Sequence, residues 1–142
     1  MPSSSIAEST PKHSLIAVTG LGHSDGCYTM NLRNITRATT VGTRITIADT
    51  SLTRLIGLVG KRRLDSGCGL LIRPSSGVHT FGMLFSIDVV ALSRGLQVLQ
   101  LWHRMGPFRM TSIRLRTHSM LELPAGQICG CQMEVGDQLE FV

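Results

Sequence analysis

Three side chains of this 142-residue chain are placed to do chemistry: His79, Asp88 and Glu122. Asp88 lies in the apolar run Ile87-Asp88-Val89-Val90, and Glu122 lies between Leu121 and Leu123. A carboxylate in such surroundings needs a partner to offset its desolvation. If the fold brings both carboxylates to the imidazole of His79, the resulting pocket suits acid–base work or a divalent metal. The framework alternative gives each group a separate structural partner. Asp88 then bonds backbone N–H groups or Arg54, Glu122 pairs with Arg73 or Arg114, and His79 bonds a backbone carbonyl.

Other catalytic templates are missing. The chain has no Gly-x-Ser-x-Gly elbow, no Gly-x-x-x-x-Gly-Lys phosphate loop and no His-Glu-x-x-His pair. Cys68, between Gly67 and Gly69, is a nucleophile only if a positive neighbour such as His79 stabilises its thiolate. The four cysteines are Cys27, Cys68, Cys129 and Cys131. Cys129-Gly130-Cys131 leaves one residue between thiols and has no second pair, which is not a zinc spacing. Small buried thiols in a reducing, cytoplasmic protein are the expectation, with neither metal nor cofactor. A different chemistry is offered by the loop Arg104 to Arg109, where Arg104, Met105, Phe108 and Arg109 favour contact with a protein partner.

The elements that must position these groups are mostly strands. Asn31–Thr39 and Thr43–Ala48 alternate apolar and polar residues, with Val41-Gly42 read as the turn between them. Asp49 or Thr50 then caps a short helix whose Leu52, Leu55, Ile56 and Val59 share one face, and Gly60 ends it ahead of Lys61-Arg62-Arg63. Further strands are expected at Cys68–Ile72, His79–Leu92, Leu96–His103, Ser112–Thr117, Met120–Leu123 and Asp137–Val142. Gly- and Pro-containing turns separate them. The fold class is α+β and mostly β: a compact curled sheet or small barrel of about six to eight strands with one short helix.

Composition bounds the function. Hydrophobic residues make up 42%, charged residues 16% and aromatic residues 4%, which excludes a disordered chain and argues against aromatic platforms for single-stranded nucleic acid. No apolar stretch approaches a membrane span or a secretory signal. Residues 1–30, rich in Ser, Thr, Pro and Gly, read as a flexible extension before a single domain at 31–142, and Met30 is a candidate alternative start. The net charge of +5 is uneven: thirteen bases lie between Asn31 and Arg116, and none follows Thr117. The bases are dispersed, so a nucleic-acid partner is not expected.

Five motifs in order resemble a known family. They are Arg54-Leu55-Ile56-Gly57-Leu58, Gly69-Leu70-Leu71-Ile72, Val78-His79-Thr80-Phe81-Gly82-Met83, Ile87-Asp88-Val89-Val90, and Leu121-Glu122-Leu123-Pro124-Ala125-Gly126 with Gly136-Asp137. Together, from Asn31 to Val142, they resemble the bacterial and archaeal domain of unknown function family 192. The resemblance implies a compact, mostly β domain with a short helix and no established reaction. Arg54, Gly57, Met83, Gly126 and Gly136 are then motif residues with structural roles, the glycines serving close packing or positive φ. The His-Thr-Phe-Gly-Met form is most similar to members encoded beside type II or Tad-type pilus secretion genes. That implies an accessory or protein-interaction module with a partner in secretion or pilus assembly. Many members have a Trp-Met-Lys-Asn-Thr-like segment here. This chain lacks that Lys, so His79 is the polar group of interest. The alternative reading is a small-ligand- or metal-binding domain, or an enzyme, around His79, Asp88 and Glu122.

Overall fold

The computed structural model describes residues 29–50 and 57–142. Seven strands form one sheet: β1 (Thr29–Asn34), β2 (Thr39–Ala48), β3 (Cys68–Ile72), β4 (Ile87–Leu92), β5 (Val98–Met105), β6 (Ser119–Pro124) and β7 (Leu139–Phe141). A four-residue helix, α1 (Gln127–Gly130), lies between β6 and β7. The order across the sheet is β5-β4-β6-β3-β2-β1-β7. Only the β2–β3 pair is parallel among these ladders. The two ends of the sheet approach each other at a bridge between Gln97 and Gln138, and Leu139 N–H donates to Leu96 O at 3.0 Å. The molecule is thus a curled half-barrel, mostly β, with one short described helix.

Strand alternation sorts the apolar residues into two layers. Leu32, Val41, Ile45, Leu71, Val90, Leu121, Leu123 and Leu139 pack inside the curl, where Ile128 of α1 joins them. Ala48, Leu70, Ile72, Val89, Ala91 and Met120 cover the other face, under Leu58 and Met83 from the loops. Asp88 and Glu122 sit in this double-layered region, one on each side.

Several expectations are corrected. Val41 and Gly42 are inside β2, and the β1–β2 turn is Ile35–Ala38, with Ala38 at φ 56°. Gly42 serves close packing: a Cβ there would lie 2.6 Å from Ile45 Cδ1 and 3.0 Å from Gly67 O. The strand expected at His79–Leu92 begins only at Ile87, and Ser112–Thr117 forms no strand, leaving Ile113 and Leu115 exposed. Val59 is exposed while Leu58 is buried, because Gly57–Gly60 is a turn that points Leu58 at the sheet. Cys129, expected to be buried, is exposed. The readings placed on residues 1–28, and on Leu52, Arg54, Leu55 and Ile56, lie outside the described residues.

Gly69, at the start of β3, is the tightest test of this packing. A Cβ there would lie 2.7 Å from Ile45 Cδ1, 3.0 Å from Leu123 Cδ2 and 3.1 Å from Glu122 O. The last contact is backbone of the adjacent strand and cannot yield without opening the sheet. Gly69→Ala therefore destabilises the domain by about 2 kcal/mol, the usual cost of overpacking, as a lower urea midpoint will record.

Candidate functional site

Asp88 and Glu122 lie on neighbouring strands but face opposite sides of the sheet. The β4–β6 register pairs Asp88 with Leu123 and Val89 with Glu122. Directly opposed residues share a face and adjacent residues alternate, so the two carboxylates diverge. His79 belongs to neither face: it is exposed on the loop before β4, bridged to Met110. Its Nδ1 accepts the Phe81 N–H at 3.3 Å, and its ring lies 5.2 Å from that of Phe81. No single pocket holds all three.

Asp88 is a fully buried anchor. Its Oδ1 accepts the Arg104 N–H at 2.8 Å, and Oδ2 accepts those of Gly126 at 3.0 Å and Ile128 at 2.8 Å. Gly126 has φ 91° and Arg104 φ 48°, so the carboxylate organises two turns with left-handed residues. Glycine at 126 is required by its φ, while a Cβ there would also lie 3.3 Å from the mobile end of Arg104, at Nη2.

Glu122 is in the opposite condition. Its side chain is 3% exposed, and Oε2 has no hydrogen-bond partner. Neither Arg73 nor Arg114 pairs with it. Burial pushes its carboxyl up to about 7, and the positive charge of Lys61 draws it partly back. At neutral pH this group is poised between its two protonation states.

A third buried carboxylate, Asp137, was visible in the Gly136-Asp137 motif but without a role. Its burial opposes ionisation, yet donors from Asn34 at 2.7 Å, Glu134 N–H at 2.9 Å and Arg37 Nε at 3.1 Å prevail and hold it below the usual range. Arg37 also pairs with Glu134. This network ties the β1–β2 turn to the approach to β7.

The loops before β4 and after β5 are clasped together by threonines. Buried Thr80 donates through Oγ1 to Gly106 O at 2.7 Å and accepts Arg109 N–H at 2.9 Å, while its backbone N–H donates to Arg109 O at 2.9 Å. Thr111 Oγ1 accepts the Val78 N–H at 2.9 Å. The clasp displays Phe81, Phe108, Met110 and Ile113, with the Phe81 and Phe108 rings 6.3 Å apart. Of the expected partner loop, Phe108 and Arg109 are exposed, whereas Met105 is 8% exposed and belongs to the core. Alternation does not reveal the clasp, because isolated loop threonines carry no pattern. The groove beside it, about 780 Å³, is lined by Trp102, Arg104, Pro107, Arg109 and Met110.

Cys129 Sγ lies 3.8 Å from His103 Nδ1 on the surface. Among the described residues, no group of three His, Cys, Asp or Glu side chains is arranged to hold a metal ion. No described helix is long and apolar enough to cross a membrane.

Comparison with known proteins agrees with this architecture. A UPF0127 protein of Thermococcus sibiricus is 29% identical over 102 residues, covering 69% of this chain and 66% of that protein. The chain thus spans slightly less than two thirds of that relative's length. Two crystal structures share the fold. A protein of unknown function from Novosphingobium aromaticivorans superposes with TM-score 0.69 at 16% identity, over 80% of this chain and 84% of the other. A proposed transcription regulator from Sinorhizobium meliloti superposes with TM-score 0.72 at 17% identity, over 84% and 97%. The family model of DUF192, described as an uncharacterized ACR, matches residues 33–141. With a match across nearly all of the described domain, the chain belongs to the DUF192 family.

Proposed function

We propose that this domain is a protein-docking module whose partner-facing surface is the clasped pair of loops. The observation that carries this reading is the exposure of large apolar side chains on a braced scaffold: Phe81 44%, Phe108 71%, Met110 66% and Ile113 73%. Apolar side chains grouped at a surface mark interaction sites, and the Thr80 and Thr111 bonds limit the entropy lost on docking. The partner's chemistry follows from charge. Between Ser66 and Leu121 the only acidic residue is Asp88, which is buried, while Arg104, Arg109, Arg114 and Arg116 are exposed. The complementary partner is a protein segment that interleaves Asp or Glu with apolar side chains. The resemblance of the Val78–Met83 motif to members encoded beside secretion and pilus genes makes components of such assemblies the first partners to test.

Selection of displayed peptides against the purified protein tests this. Enriched sequences should be acidic and apolar, and should lose at least tenfold in affinity to Phe108→Asp and Arg109→Glu but not to Arg94→Glu. Both test positions are exposed, so the variants remain folded. Selection of no common pattern, or equal binding by all variants, refutes the module.

A further inference from the structure

We propose that the cleft between β2, the start of β3 and the segment Leu58–Asp65 binds a phosphate monoester with a small apolar body. The cleft encloses about 420 Å³, within the range of small-molecule sites. Arg44, Lys61 and Arg63 line it, together with Asp65. Asp65 accepts from Arg63 Nε at 2.8 Å, whereas Arg44 and Lys61 have no ion-pair partner among the described residues. Three bases against one acid leave a formal charge of +2. A phosphate monoester carries about −1.5 to −2 at neutral pH and matches that charge, which a monocarboxylate does not.

The residue types fit the same ligand. A guanidinium fork at Arg44 spans two phosphate oxygens, Lys61 adds a point charge, and the Thr46 hydroxyl supplies a further donor. Leu58 and Leu70 form an apolar floor, at 3% and 7% exposure, against which the ester's body rests. Glu122 neighbours the cleft without lining it. It stands directly opposite Leu70 in the β3–β6 ladder, buried, with Oε2 unpartnered. Lys61, on the wall of the cleft, is the base whose charge reaches it. These residues are separate from those of the docking surface, so either reading stands without the other.

Calorimetric titration of the full chain with phenyl phosphate decides the matter. Binding is expected, with inorganic phosphate and phenyl sulfate each at least tenfold weaker. Arg44→Ala and Lys61→Ala should each weaken phenyl phosphate at least tenfold, while Arg94→Ala leaves it unchanged. Vesicles containing phosphatidic acid distinguish the source: sedimentation abolished by Lys61→Ala assigns the phosphate to a lipid headgroup, and its absence assigns it to a soluble ester. No binding of phenyl phosphate, or binding that Arg44→Ala and Lys61→Ala leave intact, overturns the site.

Discussion

Asp88→Asn is expected to destabilise the domain by about 3 kcal/mol or more, which for a domain of this size lowers the melting temperature by on the order of 15 °C. The carboxylate is acceptor-only, and three backbone donors converge on it from two loops, at Arg104, Gly126 and Ile128. An amide keeps one acceptor oxygen. Oriented toward Gly126 and Ile128, it turns its NH₂ against the Arg104 N–H; in the other orientation it turns the NH₂ against both remaining donors. Each buried donor left unsatisfied costs about 1–3 kcal/mol, and bonds to a charged acceptor sit at the upper end. Asp88→Ala removes the clash yet orphans all three donors, so it should fall in the same range. Urea denaturation of the two variants at pH 7 provides the measurement. A midpoint near that of the unsubstituted protein would show that the two loops hold their turns without Asp88.

Asp88 is only partly legible in the sequence. An aspartate among Ile87, Val89 and Val90 announces a buried carboxylate in need of donors, and backbone N–H groups were one of the two partners it offered. Which backbone groups depends on the β4–β6 register, and the two strands are far apart in the chain. A shift of one residue would place Asp88 and Glu122 on the same face, so their divergence is a tertiary fact. The strand cores themselves were legible from alternating or continuously apolar patterns, as in Ile45 to Ala48 and Met120 to Leu123 respectively. Ser112–Thr117 shows the limit of that signal. Ile113 and Leu115 alternate with polar residues, but no neighbouring backbone pairs with them, and a strand without a ladder does not form. Val41-Gly42 misleads for another reason: its glycine answers the crowding of Ile45 and Gly67, and a turn needs the same residue type. Of the exposed side chains on the clasped loops, Phe108 and Arg109 are singled out by the sequence of their own loop, whereas Phe81 is placed beside them by the Thr80 bonds that bring two distant loops together.

Glu122 should make the protein less stable as pH rises from about 4.5 to about 7. Its folded carboxyl titrates at about 7 against an ordinary value of 4.5, because burial penalises the charged form more than Lys61 relieves it. Between those values the folded state holds a proton that the unfolded state releases, so increasing pH favours unfolding. The stabilisation is complete below 4.5, declines from there to 7 and is lost above it, a change of about 3 kcal/mol at 1.36 kcal/mol per pH unit. Asp137 contributes with the opposite sign in a different window. Its carboxyl is held below 3.8, so its contribution is present above that pH and is lost as pH falls through the lowered value. The two effects are separated by subtraction. Glu122→Gln keeps the shape and cannot ionise, so it should match the unsubstituted protein near pH 4 and exceed its stability by about 2–3 kcal/mol at pH 8. Paired urea titrations at half-unit intervals give the difference curve directly. A difference that stays constant from pH 4 to pH 8 would mean that Glu122 finds a donor in solution and ionises as an ordinary carboxylate. A rise that begins near 4.5 and levels off near 7 would establish it as the titrating group beside the Lys61 cleft, and adding phenyl phosphate should then move that upper limit upward as the anion cancels the charge of Lys61.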